Sequence, residues 1–142
     1  IDEVRSIARG IYPALLADAG LAEALRDVAR LGEPPTTVTT RGLARYPLEI
    51  ETAVYFCCVE ALQNATKHAQ ASVVSVELAA INGELRFEIR DDGRGFPASV
   101  GTGGAGLTNM RDRVAAIGGS VVIDSVRGRG TTVRGRVPIK PR

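Results

Sequence analysis

The sequence predicts an α+β fold, a two-layer sandwich in which helices cover one face of a mixed, mainly antiparallel sheet. Three observations point there. Stretches that alternate apolar and polar residues come in neighbouring pairs, 72–81 with 84–90 and 120–125 with 131–138, as antiparallel strands do. Longer segments with helical spacing lie around them, at 47–69 and 107–117. The chain has 142 residues, 44% of them hydrophobic, which suits one core, and it carries no internal repeat or long low-complexity tract.

In chain order, Pro13 removes an N–H and disrupts a helix, and Gly20 separates two apolar-periodic pieces. After the break at Glu33-Pro34-Pro35, Thr36 to Thr40 reads as an edge strand. Pro47 suits the first turn of a long helix reaching Ala69, whose apolar content comes from Leu48, Ile50, Val54, Phe56, Cys57, Ala61, Leu62 and Ala65. Ser72 to Ile81 and Glu84 to Arg90 form a hairpin around Asn82-Gly83, a strong two-residue turn signal. Leu107 to Ile117 has helical spacing and stops at Gly118-Gly119. Ser120 to Ser125 and Thr131 to Pro138 follow, joined by a loop containing Gly128 and Gly130.

Three clusters carry chemistry. Asp91-Asp92-Gly93-Arg94-Gly95-Phe96 fixes a carboxylate at a strand end, followed by glycines that let the backbone turn and approach a flat polar ring. Alone, it is also a common turn. On the long helix, Glu60, Asn64 and His68 are spaced i, i+4, i+8 with Lys67 beside them, so one stripe of a mostly apolar helix bears a carboxylate, an amide and two potential cations. The plainer reading is a helix end whose Lys67 and His68 complement the macrodipole while Glu60 and Asn64 are solvated. Gly101-Thr102-Gly103-Gly104-Ala105-Gly106 runs into a helix N-terminus, where free N–H groups favour an anion, although such runs are usually mobile linkers. Neither a Walker P-loop nor a dinucleotide fingerprint is present.

A net charge of +2 gives no large field, so a nucleic-acid surface is not indicated. Arg127, Arg129, Arg134 and Arg136 near the C-terminus fit an exposed strand pair first and a phosphate patch second. Cys57 and Cys58 are adjacent on one helix, pointing about 100° apart, and read as buried thiols in a reducing compartment. There is no Cys/His metal spacing, and no stretch resembles a membrane span or signal peptide.

The order of these motifs resembles that of the GHKL ATP-binding superfamily, to which gyrase, MutL and the sensor histidine kinases belong. Residues 60–69 resemble its N box, Asp91-Asp92-Gly93-Arg94-Gly95 its first glycine box, Gly104-Ala105-Gly106-Leu107 its second, and Gly128-Arg129-Gly130-Thr131 its closing glycine-threonine element. The Asn-Ala-x-Lys-His-Ala ending and Asn109-Met110-Arg111-Asp112-Arg113-Val114 resemble the kinase subgroup serving helix-turn-helix response regulators. Over 33–139 the chain is therefore identified as similar to a catalytic and ATP-binding domain. Arg9 to Leu16 resembles the end of that subgroup's dimerisation helix, which divides the chain into a remnant at 1–16 and the catalytic domain at 17–142.

The resemblance implies ATP and Mg²⁺ as ligands. Asp91 would accept from the adenine amine, Gly93 and Gly95 would shape its pocket, and Thr131 would support Asp91 or the base. Asn64 would ligate Mg²⁺. Lys67, His68, Gly104, Gly106 and Leu107 would surround the phosphates, with a lid at 97–105 expected to be mobile from its glycine content. Glu60 would polarise the attacking imidazole. That imidazole belongs to a dimerisation and phosphoacceptor domain that the chain is expected to lack, since its only histidine, His68, sits in the N box and it starts at Ile1. The chain is thus expected to be a monomeric excised cytoplasmic domain of a homodimeric kinase, free to carry a membrane anchor elsewhere, that relays phosphate to a response regulator. The alternatives are an anti-sigma-factor-type serine kinase of the same superfamily and a degenerate nucleotide-binding or docking module.

Overall fold

The computed structural model of the chain describes residues 14–31, 34–67, 70–93 and 105–139. Its elements are α1 (Ala14–Ala19), α2 (Leu21–Leu31), β1 (Thr36–Arg41), α3 (Leu48–Lys67), β2 (Val74–Ile81), β3 (Glu84–Asp91), α4 (Ala105–Ala116), β4 (Ser120–Val126) and β5 (Gly130–Pro138). The strands form one five-stranded sheet in the order β1-β2-β3-β5-β4. Only β1 and β2 are parallel, as expected of strands joined by a long helical crossover, here α3; the other neighbours are antiparallel. The expected mixed, mainly antiparallel α+β sandwich is the observed fold.

Side-chain parity sets the two faces. On β3, Leu85, Phe87, Ile89 and Asp91 are buried, and on β5 Val133 and Val137 join them beneath the helices. On α2, Leu21, Ala24, Leu25 and the partly buried Val28 recur at helical spacing and face this core. Leu16 of α1, which the expected boundary assigns to the preceding segment, is fully buried in the same core. Cys57 and Cys58 of α3 are buried free thiols, and burial pushes Cys57 up to about 12.

The opposite face of the sheet is charged. Glu88 bridges Arg90 and Arg134, both at 2.9 Å, and Glu84 bridges Arg86 at 3.1 Å and Arg136 at 3.7 Å. Arg134 and Arg136 thus belong to a solvated strand face, while Arg127 and Arg129 lie exposed in the β4–β5 turn.

Several boundaries differ from those expected. β2 starts at Val74 rather than Ser72 because the N–H groups of Ser72 and Val73 are taken by the Asp92 carboxylate. β3 gains Asp91, which pairs with Val74 on one side and Thr131 on the other. α4 begins at Ala105 and takes in Gly106, since first-turn N–H groups need no intrahelical partner and Ala is the best helix former. At the hairpin, Asn82 and Gly83 both have positive φ, 53° and 75°, the geometry the Asn-Gly signal predicts.

Candidate functional site

Of the residues singled out from the sequence, Asp91, Gly93 and Thr131 lie together at one end of the sheet. Asp91 ends β3, Thr131 is the second residue of β5 and lies directly opposite it, and the segment leaving α3 is tied to the same place through Asp92. α4 closes against the far end of β5, where Cβ atoms built on Gly118 and Gly119 would approach Pro138 and Val137. The C-terminal half of α3, with Glu60 and Asn64, runs toward the Asp91 end of the sheet.

Asp91 is buried, and its Oδ1 accepts from the Gly93 N–H at 2.8 Å. Burial raises its carboxyl above the ordinary 3.8, an effect opposed by the backbone N–H groups of Gly93 and Thr131. The result is an oriented acceptor with little water around it. Gly130, at φ +98°, is what lets β5 approach: a Cβ there would sit 2.1 Å from the Asp91 carbonyl oxygen. Only a residue without Cβ keeps Thr131 in register with Asp91.

Asp92 points the other way and is exposed. It accepts from the N–H of Ser72 at 2.8 Å and of Val73 at 3.0 Å, and its Oδ2 lies 2.6 Å from Ser72 Oγ. These hydrogen bonds, led by the Ser72 hydroxyl, hold its carboxyl below 3.8. Of the two carboxylates in the motif, Asp91 turns inward and Asp92 fastens the start of β2.

Glu60 and Asn64 are half-buried, one turn apart on α3, and their stripe continues backwards to Phe56. The Arg113 guanidinium of α4 stacks on that ring, 4.0 Å from its centroid. One residue along, Cys57 Sγ approaches the Met110 carbonyl at 3.9 Å. The Glu60–Asn64 stripe therefore faces the helix that follows the glycine cluster. Gly106 and Leu107 occupy the first turn of α4. His68, Gly95 and Gly104, the lid up to Gly104, and the side chains of Lys67 and Leu107 lie outside the described residues, as do residues 1–13.

Three contributors were not singled out from the sequence. Asp92 was read only as part of the turn, although an acid just after a strand is a known acceptor for nearby N–H groups. Ser125 and Arg113 gave no local signal, because their partners Thr131 and Phe56 are brought to them by the β4–β5 register and the α3–α4 packing. Among the described residues no group of three or more His, Cys, Asp or Glu side chains could hold a metal ion, and no helix is long and apolar enough to cross a membrane.

Residues 49–141 match the family described as histidine kinase-, DNA gyrase B-, and HSP90-like ATPase. The oxygen sensor histidine kinase NreB of Staphylococcus carnosus is 37% identical over 147 residues, covering 98% of this chain and 42% of that protein. The sensor histidine kinase LiaS of Bacillus subtilis is 31% identical over 151 residues, covering 99% of this chain and 40% of that protein. The chain thus spans about two fifths of the length of these curated relatives. Among solved structures, the Erythrobacter litoralis EL346 blue-light activated histidine kinase superposes with a TM-score of 0.70 at 26% identity, over 84% of this chain and 42% of that one. The ATP-binding domain of PrrB from Mycobacterium tuberculosis shares the fold, with a TM-score of 0.64 at 22% identity over 85% of this chain and 92% of that one.

Proposed function

This chain belongs to the histidine kinase-, DNA gyrase B-, and HSP90-like ATPase family and is a catalytic ATP-binding domain of the sensor histidine kinase type, and on that premise we propose that it binds Mg-ATP and delivers the γ-phosphoryl group to a histidine on a separate dimerisation domain, for relay to a response regulator. The observation that carries this reading is the buried Asp91 carboxylate, fixed by the Gly93 N–H at a strand end opposite Thr131. A carboxylate acceptor pairs with the exocyclic amine of adenine, where guanine presents a carbonyl that has no proton to give.

Around that anchor the remaining residues take roles by charge and position. Asn64 offers an uncharged oxygen on the face toward α4, which fits Mg²⁺, an ion that takes oxygen ligands and leaves most of its octahedron to phosphate and water. Bound there, the ion supplies neutralisation of phosphate charge. Lys67 and His68, with Gly104 and the N–H groups of Gly106 and Leu107 at the start of α4, would direct donors at the phosphates. Gly93 and Gly95 would line the adenine pocket.

Glu60, one turn before Asn64, would accept the proton of the attacking imidazole or orient it. Transfer forms a P–N bond to the imidazole nitrogen, breaks the bond from the γ-phosphorus to the bridging oxygen, and leaves ADP. Positioning and charge stabilisation supply most of the rate in such a transfer, so the site needs the imidazole brought in line by a correctly docked partner domain. The kinase dimer, the response regulator and a cytoplasmic location follow from the same reading.

Calorimetric titration with a non-hydrolysable ATP analogue and Mg²⁺ tests it. Saturable one-to-one binding is expected for the wild-type chain, weakened by at least about tenfold in Asp91→Ala and far weaker, though measurable at high concentration, for a GTP analogue. A folded wild-type chain that binds neither nucleotide overturns the reading.

A further inference from the structure

A polar row crosses three strands on the helix-facing side of the sheet and includes Asp91. Thr131 shares the parity of the buried Val133 and Val137, Ser125 that of Val121 and Ile123, which pack on the core, and Asp91 that of Ile89. The registers align them without offset: Asp91 opposite Thr131 across β3–β5, and Thr131 opposite Ser125 across β4–β5. The Ser125 and Thr131 hydroxyl oxygens are 2.9 Å apart.

A threonine hydroxyl has one proton and can either give it to Ser125 or receive the Ser125 proton and keep its own for another acceptor. The second arrangement suits the site. Asp91 is an acceptor, and directly opposite side chains on paired strands stand about 5 Å apart, so the row presents acceptor and donor side by side. The edge of adenine carries the complementary pair, an amine that donates beside a ring nitrogen that accepts. Guanine reverses both, with a carbonyl beside a ring N–H.

Resting on the adenine reading above, we propose that Ser125 is a specificity-determining positioning residue: its hydroxyl donates to Thr131 Oγ1 and so commits the Thr131 proton to the purine ring nitrogen. Ser125 touches no nucleotide itself. It sets the polarity of the neighbour that does. Without Ser125 the Thr131 hydroxyl is free to rotate and present a lone pair, which adenine cannot use and the guanine ring N–H can.

The test is analogue affinity in the same 142-residue chain, with Ser125→Ala and Ser125→Thr compared against wild type by calorimetry and their folding checked by circular dichroism. Ser125→Ala is expected to lower the preference for the ATP over the GTP analogue by about tenfold, and to weaken ADP and the ATP analogue equally, because the loss lies at the base. Ser125→Thr, which keeps the hydroxyl, is expected to restore the preference to within about twofold. Equal loss in both variants would mark Ser125 as a packing residue and overturn the inference. So would Asp91-dependent binding with unchanged preference in Ser125→Ala, leaving the functional reading intact. A wild-type chain that binds no adenine nucleotide would sink the functional reading and this inference together.

Discussion

Asp91 and Asp92 are chemically identical neighbours held in opposite states, and that opposition separates binding from stability. Burial raises the Asp91 carboxyl above 3.8, so its contribution to stability is complete below that value and lost as pH rises through the folded-state pKa. At neutral pH its charge therefore costs stability. Asp91→Asn keeps an oxygen for the Gly93 N–H and removes the charge. It is expected to melt at or above the wild-type temperature at pH 7, with the advantage vanishing toward pH 4, while adenine-nucleotide binding is lost. Asp92 runs the other way: hydrogen bonds from Ser72 and Val73 hold it below 3.8, so its contribution is present above 3.8 and lost as pH falls through its lowered pKa. Asp92→Asn is expected to melt below wild type at pH 7, with a deficit that closes on acidification. Melting curves from pH 3 to 8 on the three proteins check both signs, and a lower melting temperature for Asp91→Asn at pH 7 would contradict the account. The sequence made Asp91 visible because the glycines after it announce a turn. It could not show which of two adjacent acids points inward, since that depends on β3 pairing through residue 91.

At the scale of elements, α3 is held at its start as firmly as it is used toward its end. Glu51, in its first turn, is almost wholly buried at 1% exposure and is met by a two-pronged contact from Arg45, Nε to Oε2 at 3.1 Å and one terminal nitrogen to Oε1 at 3.2 Å. The same guanidinium donates to the Ala17 carbonyl at 2.9 Å and the Asp18 carbonyl at 3.3 Å, capping the C-terminus of α1. One side chain thus joins the helix arriving from the N-terminal side to the helix bearing Glu60 and Asn64. Arg45→Met strands a buried carboxylate, and a double variant with Glu51→Met removes the stranded charge. The single variant is expected to lose far more thermal stability than Arg26→Ala, which breaks an exposed pair on α2, and the double variant is expected to recover most of the loss. A double variant no better than the single would show that the contact with the α1 carbonyls carries the effect. This clamp was not legible beforehand. The partners lie within one stretch, but Glu51 reads as an ordinary acidic first-turn residue until its burial and the Arg45 contact are seen. By contrast the strands and the Asn82-Gly83 hairpin were readable, because alternation and turn chemistry are written in consecutive residues.

For the whole molecule, the proposed reading separates holding ATP from using it. On the proposed reading, the parts of the adenine site come from β3, β5, α3 and α4, all within one core, so adenine binding is expected of this domain alone. The order of four short motifs made the family readable, although no single motif is specific and the layer that orients them is built by pairing between distant strands. The nucleophile is a different matter. The chain has one histidine, His68, which motif order assigns to phosphate binding rather than to phosphoacceptance on the proposed reading. The chain alone is therefore expected to bind Mg-ATP and form no acid-labile phosphohistidine over hours of incubation with radiolabelled ATP. Adding a separate helical dimerisation domain with its phosphoacceptor histidine is expected to yield such a product, at a rate that rises with the concentration of the added domain. Tethering the two would raise that rate by the effective concentration of the link, on the order of millimolar for a short flexible one. Glu60→Gln is expected to slow transfer by about a hundredfold while leaving ATP-analogue binding within about twofold, because a group that handles the imidazole proton acts on the transition state and not on the bound nucleotide. Phosphohistidine on the isolated chain would place the acceptor at His68 and reassign the N-box histidine from binding to chemistry. Phosphoserine on an added partner in place of phosphohistidine would move the domain to the serine-kinase branch of its family with the same adenine site.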